Sequence, residues 1–294
     1  MGLTLERSDS PFGRFTHAAW SDPCDPLLST ARIWYFEGTL AHGIERHYPD
    51  GTCGIIVQLE TPHAPADAPD GRRFPALCTN GLATTPFGVV APEGTCRVVG
   101  IVLEPGMASA ALGVPLADLR DSTLDLHDVI GAVAARELGE RCADERDAVA
   151  IVSVARRWLR ERLARARCVD PSVAYALERL RAACGNVSVA ELERETGVAG
   201  PRLARRFAAT VGTTPKRYAR ILRFNHALQL ICNATRADLA AAATTAGYFD
   251  QSHMYADFAE FCDRTPAEVA RALHYPGTVN IAENGDASLF SKTA

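Results

Sequence analysis

Nowhere in its 294 residues does this chain hold a run of about 18 apolar side chains without interruption, so no part of it reads as a membrane-spanning helix. It has no C-x-x-C pair. Its nine cysteines (24, 53, 78, 96, 142, 168, 184, 232 and 262) stand singly and in odd number, a pattern that indicates neither a zinc site nor a closed disulfide framework. Reduced thiols in a cytoplasmic protein are the simplest account. The N-terminus lacks a charged segment followed by an apolar core, and Glu6 and Asp9 come early, against a signal peptide. There is no Gly-rich phosphate loop, no G-x-S-x-G elbow and no H-E-x-x-H helix. A metal-dependent barrel would need two His one residue apart with a Glu soon after, whereas His42 and His47 lie five apart. No metal, cofactor or catalytic residue is therefore expected.

What the chain does have is an uneven distribution of charge. The net charge is −4 and the hydrophobic content 47 %, enough for a substantial core and, at this length, for two domains. Residues 1–167 hold 17 Lys+Arg against 22 Asp+Glu, and residues 168–275 hold 13 against 11. Between Thr196 and Ala237 lie Arg202, Arg205, Arg206, Lys216, Arg217, Arg220, Arg223 and Arg236, with no Asp or Glu among them. Such a surface suits a polyanion. Because it falls on a helix, Gly-turn, helix pattern, the sharper reading is double-stranded DNA rather than a merely solvated face.

The expected fold is α+β. Up to about Glu104, short strands (32–38, 54–59, 87–90, 96–103) alternate with turns such as Tyr48-Pro49-Asp50-Gly51, as in a small β-sandwich or barrel, and Pro105-Gly106 closes that region. From Met107 to Ala166 the pattern is helical (108–112, 126–142, 144–166). The stripe Val149, Val152, Ala155, Leu159 and Leu163 packs inside the domain or faces a second subunit of a homodimer. Cys168-Val169-Asp170-Pro171 reads as a hinge that opens an all-α domain at 168–275, with Asp170 capping and Pro171 at the first helical position. The tail 276–294 is expected to be disordered.

Two helix-turn-helix units follow. In the first, Ser188 and Glu191 form a capping box, Gly197 makes the turn, and Leu203, Phe207 and Val211 point inward from the second helix. That leaves Arg202, Arg205 and Arg206 outward. Arg205 is expected to bridge guanine O6 and N7, worth roughly 1–3 kcal/mol of discrimination, while Arg202 and Arg206 hold phosphates. Lys216 to Cys232 forms a connecting helix whose Lys216, Arg217 and Arg220 clamp the backbone. The second unit runs from Asp238 through Ala246-Gly247-Tyr248-Phe249 to a helix 250–258, with Met254 and Phe258 in the places of Leu203 and Phe207.

Through Gly247-Tyr248-x-Asp250-Gln251-Ser252-His253-x-x-x-x-Phe258 and Gly212-x-Thr214-Pro215-Lys216-Arg217-Tyr218, residues 170–274 resemble the paired helix-turn-helix domain of AraC-type (AraC/XylS) transcription regulators. The resemblance implies base-facing positions at Pro201, Ala204 and Arg205 in the first unit and at Gln251, Ser252, His253 and Ala256 in the second. It implies recognition helices in neighbouring major grooves, about 34 Å apart. Residues 1–165 resemble a cupin-like effector domain through His47-Tyr48-Pro49-Asp50-Gly51, Val98 to Gly106 and Ala111 to Pro115. An unidentified small-molecule effector, a homodimer and contact with RNA polymerase follow from the same resemblance. Trp20, Trp34 and Phe36 are the candidate pocket residues, core packing being the other role open to them. The chain departs from the family at Ala199 (a Ser cap), Ala256 (an Arg) and Asp263 (a Gly). From Arg236 to Tyr275 it carries three basic and six acidic residues, so the first unit is expected to supply most of the affinity. A β-barrel metal enzyme with a helical accessory domain, and a DNA-free interaction protein with a degenerate second unit, are the alternatives.

Overall fold

The computed structural model describes residues 2–10, 13–39, 44–68, 70–234, 238–272, 280–281 and 287–291. Its strands are β1 (Leu3–Ser10), β2 (Gly13–Trp20), β3 (Arg32–Thr39), β4 (Ile44–His47), β5 (Cys53–Gln58), β6 (Ala64–Pro65), β7 (Leu77–Asn80), β8 (Phe87–Val90), β9 (Thr95–Leu103), β10 (Thr123–Asp125), β11 (Asn280–Ile281) and β12 (Ala287–Ser291). Its helices are α1 (Pro105–Leu112), α2 (Leu126–Ile130), α3 (Ala132–Ala143), α4 (Ala148–Leu163), α5 (Pro171–Ala182), α6 (Val189–Thr196), α7 (Gly200–Val211), α8 (Pro215–Asn233), α9 (Leu239–Thr245), α10 (Gln251–Cys262) and α11 (Pro266–Ala272). The fold is α+β, as the sequence implies.

There are two antiparallel sheets among the described residues, one from the N-terminal half in the order β1-β2-β3-β9-β5-β7-β10 and a smaller one, which also takes in the C-terminal β11 and β12, in the order β11-β12-β4-β8-β6. Period-two alternation decides what each face of the larger sheet does. Ile33 and Tyr35 on β3, with Val99 and Ile101 on β9, are fully buried in the same core as Ile151, Ala155, Trp158 and Leu159 of α4. The α4 stripe therefore packs inside the domain. Trp34 projects to the opposite face, where it sits across from Gly100. A Cβ at Gly100 would lie 2.1 Å from the Trp34 ring, so only glycine lets the indole lie flat on the sheet.

Several local expectations are corrected. Pro105 does not merely end the β region; it occupies the first turn of α1, where its missing N–H costs nothing. The helix expected over 126–142 is two helices, because Gly131 takes φ +86° between α2 and α3. Within the tail expected to be disordered, β11 and β12 are strands, and β12 pairs antiparallel with β4. His42 and Arg236 lie outside the described residues.

Asp170 caps α5 through the Ser172 N–H (2.9 Å), with Pro171 at the first position. The buried core does not divide at this point. Leu192, Leu203, Phe207, Val211 and Tyr218 belong to the same cluster as the β-sheet residues, and Tyr48 in turn belongs to a second cluster with Phe224, Met254, Phe258 and Phe261.

Candidate nucleic-acid interface

The first unit is built as its sequence requires. Ser188 Oγ accepts from the Glu191 N–H (3.2 Å) while the Ser188 N–H donates to the Glu191 carboxylate (2.8 Å), closing a capping box at the start of α6. Gly197 ends α6 at φ +65°. Helix α7 has no side-chain cap at Ala199, and its second residue is Pro201. Gly200 approaches α6 so closely that a Cβ would fall 1.6 Å from a Glu193 oxygen. Leu203, Phe207 and Val211 are fully buried, with Phe207 edge-on to Tyr218 at 5.8 Å. Burying that stripe rotates Pro201, Arg202 and Arg205 into solvent, with Ala204 half-buried between them.

The basic side chains divide into two groups. Arg202, Arg205 and Lys216 are exposed and have no ion-pair partner among the described residues. Arg206, Arg217, Arg220 and Arg223 are half-buried and engaged. Arg206 pairs with Asp170 at 3.0 Å, tying α7 to the cap of α5, and this contact helps to hold the Asp170 carboxyl below its ordinary range, after the larger effect of the Ser172 hydroxyl. Arg217 pairs with Glu260 (2.9 Å) and donates to the Thr84 carbonyl of the N-terminal half (2.9 Å). Arg220 binds Asp257 through Nε (3.0 Å) and Nη2 (2.6 Å), and reaches Glu260 as well. Arg223 lies over the Tyr248 ring at 5.5 Å. Arg206, Arg217 and Arg220, expected to hold phosphates, are paired with protein carboxylates in this arrangement. Sequence spacing could not show it, since each partner lies more than thirty positions away.

In the second unit Asp238 caps α9 and Asp250 caps α10, accepting from the His253 N–H (2.9 Å). The same Asp250 oxygen lies 2.8 Å from His253 Nδ1, which turns Nε2 outward. Gln251, Ser252, His253 and Ala256 are all exposed, while Met254 and Phe258 are fully buried. Asp257, one of the six acidic residues counted in this unit, is 5 % exposed, receives Arg220 and accepts from the Tyr248 hydroxyl at 3.1 Å. Two of the unit's six acidic residues, Asp257 and Glu260, are therefore neutralised from α8. Asp263 closes α10 at φ +53°, the left-handed position where glycine is the usual occupant.

The candidate pocket residues do not converge. Trp20 pairs with Ile33 and is buried on the helix-facing side, with the Arg156 guanidinium 5.3 Å from its ring, whereas Trp34 and Phe36 occupy the other face. The register separates them: Trp20 pairs with Ile33, the neighbour of Trp34, and Trp34 pairs with Ala19, the neighbour of Trp20, so the two indoles fall on opposite faces. On the Trp34 side, Gln58 shares a cross-strand row with Val98 and Phe36, and its Oε1 receives both the His63 N–H (2.6 Å) and the ring Nδ1 (2.9 Å). No cluster of three metal-ligating side chains occurs among the described residues.

Comparison with known families fits this geometry. Residues 192–272 match a helix-turn-helix domain model, which spans α6 to α11 and so contains both units. Residues 192–272 are thus a helix-turn-helix domain. Helix-turn-helix domains place their second helix in the major groove of DNA. Residues 22–125 match a domain of unknown function, DUF6597. No curated protein matches the chain. Among solved structures, an AraC-type regulator from Chromobacterium violaceum is 24 % identical over 36 % of this chain and 96 % of its own (TM-score 0.33). The C-terminal domain of AraT, a response regulator from Geobacillus stearothermophilus, is 16 % identical over 35 % and 86 % (TM-score 0.33). ToxT from Vibrio cholerae O395 is 10 % identical over 80 % and 98 % (TM-score 0.42). No helix among the described residues is long and apolar enough to cross a membrane.

Proposed function

We propose that the helix-turn-helix domain binds duplex DNA chiefly through α7, with Arg205 reading a base and Arg202 and Lys216 holding phosphates, and that α10 adds neutral contacts through Gln251, Ser252 and His253. The observation that carries this is the coincidence of a fully buried Leu203-Phe207-Val211 stripe with an exposed, unpaired Arg202-Arg205 face on one short helix. A helix entering the major groove needs both. Pro201 and Ala204 then line the approach to the bases. The protein acts in the cytoplasm by binding rather than by catalysis, as a homodimer on paired half-sites and in contact with RNA polymerase.

The N-terminal half supplies control. Its Tyr48–Gly51 turn is seated on α8: the Tyr218 hydroxyl donates to the Gly51 carbonyl (3.2 Å) and Asn225 Nδ2 to the Pro49 carbonyl (2.7 Å). A small molecule held on the Trp34 and Phe36 face would shift the balance between docked and undocked arrangements only in so far as it binds one of them more tightly. The test of the DNA reading is a gel-shift titration with a duplex selected from a random pool. Arg205→Ala is expected to weaken binding roughly 5- to 150-fold, and Gln251→Ala much less. The opposite ranking would show that α10, not α7, carries the affinity.

A further inference from the structure

Phe249 is 92 % exposed, the largest exposure of any bulky apolar side chain described, and it immediately precedes the Asp250 cap of α10. Its presentation is fixed from behind. Tyr248 is buried, bonded to Asp257 and covered by Arg223. Asn186 Nδ2 holds the Ala246 carbonyl at 3.0 Å, and Gly247 takes φ +82° against the Asn186 side chain, where a Cβ would clash at 2.0 Å. The Phe249 ring stands edge-on to His253 at 5.9 Å. It therefore shares one surface with Gln251, Ser252 and His253, the N-terminal turn of a recognition helix, which is the part that reaches base edges in this motif.

That surface carries no Lys or Arg: positions 247–256 contain neither. Whatever this turn contributes to binding comes from neutral contacts. The one apolar feature that a base pair displays in the major groove is the thymine C5-methyl group, and a phenyl ring is among the side chains that contact it. We infer that Phe249 is a specificity-determining residue that packs on a thymine methyl in the half-site read by α10, beside a Gln251 placed to pair with an adenine. This rests on the DNA-binding reading above.

The experiment uses the full chain and the tightest duplex it recovers from a random pool, with each thymine of the α10 half-site replaced singly by deoxyuridine, which removes only the methyl group. For the wild type, one such replacement is expected to weaken binding about fourfold, the effect of unburying one methyl. Phe249→Ala, whose unfolding midpoint should be unchanged at so exposed a site, is expected to bind the thymine and deoxyuridine duplexes equally, while His253→Ala keeps the preference. If Phe249→Ala still prefers thymine, or if no thymine in that half-site matters to the wild type, the inference is overturned and the ring belongs to another partner. If neither protein recovers a duplex at low salt, the DNA-binding reading fails first and takes this inference with it.

Discussion

Raising salt from 50 to 200 mM should weaken DNA binding by a factor that counts the cations free to meet phosphates. Each neutralised phosphate adds about −0.9 to the slope of log K against log salt. Three side chains on the α7 and α8 faces, Arg202, Arg205 and Lys216, are exposed and unpaired among the described residues, giving a slope of about −2.7 per bound chain and a loss of roughly 40-fold over that fourfold change in salt. If Arg206, Arg217, Arg220 and Arg223 joined them, the slope would be about −6.3 and the loss roughly 6000-fold. Fluorescence anisotropy on a labelled duplex separates the two by more than two orders of magnitude. A Lys216→Ala variant should lower the slope by about 0.9. A wild-type slope near −6 would refute the division of the arginines drawn here, because it would require the Asp170, Asp257 and Glu260 pairs to open on binding.

Gly100→Ala should cost about 1–3 kcal/mol of stability in chemical denaturation, since the added methyl displaces Trp34 from the sheet; an unchanged midpoint would mean that the indole has another place to lie. Arg220→Ala should cost about 2–4 kcal/mol, because it leaves Asp257 buried without its cation, and Arg220→Met with Asp257→Leu should recover part of that loss. Burial holds the His63 imidazole below its ordinary value of 6.5, outweighing the opposing pull of Glu45 and joined by His47 and Arg73. Its contribution to stability is thus complete above about pH 6.5 and is lost as pH falls toward the lower folded value; His63→Gln should flatten that part of the stability profile, and an unchanged profile would place the dependence elsewhere.

The features legible in the sequence are those that local chemistry determines. A capping box, a left-handed glycine and a four-residue spacing of Leu203, Phe207 and Val211 specify a helix-turn-helix without reference to anything distant, and β3, β5, β8 and β9 announce themselves by β-branched and aromatic runs. Strands β1 and β2 were not legible, since Leu-Thr-Leu-Glu-Arg-Ser-Asp-Ser is as polar as a loop and becomes a strand only because β2 offers it an edge. The three pocket candidates divide between two faces for a related reason: Trp20 and Trp34 look equivalent in sequence, and only the pairing register places them on opposite faces. Counting charges misled most. The acidic residues of the second unit seemed arranged against phosphate, yet Asp257 and Glu260 are the anions that Arg217 and Arg220 require.

Those ion pairs bear on how the two halves are coupled. Arg217 of α8 joins α10 to the N-terminal half, since its guanidinium meets Glu260 and lies 5.6 Å from the Phe261 ring, both on α10, and donates to Thr84. Tyr218, the next residue, bridges Phe207 of α7 and Gly51. Helix α8 thereby holds α7, α10 and the β-domain turn in a single packed unit, with Tyr48 buried in the same cluster as Phe224 and Phe258. A packed junction of this kind has few intermediate geometries, so a change in the β domain that withdraws Tyr48 would alter the spacing of α7 and α10 in a step rather than by degrees. Such a step is what a regulator needs if two helices must fall into successive grooves together or not at all.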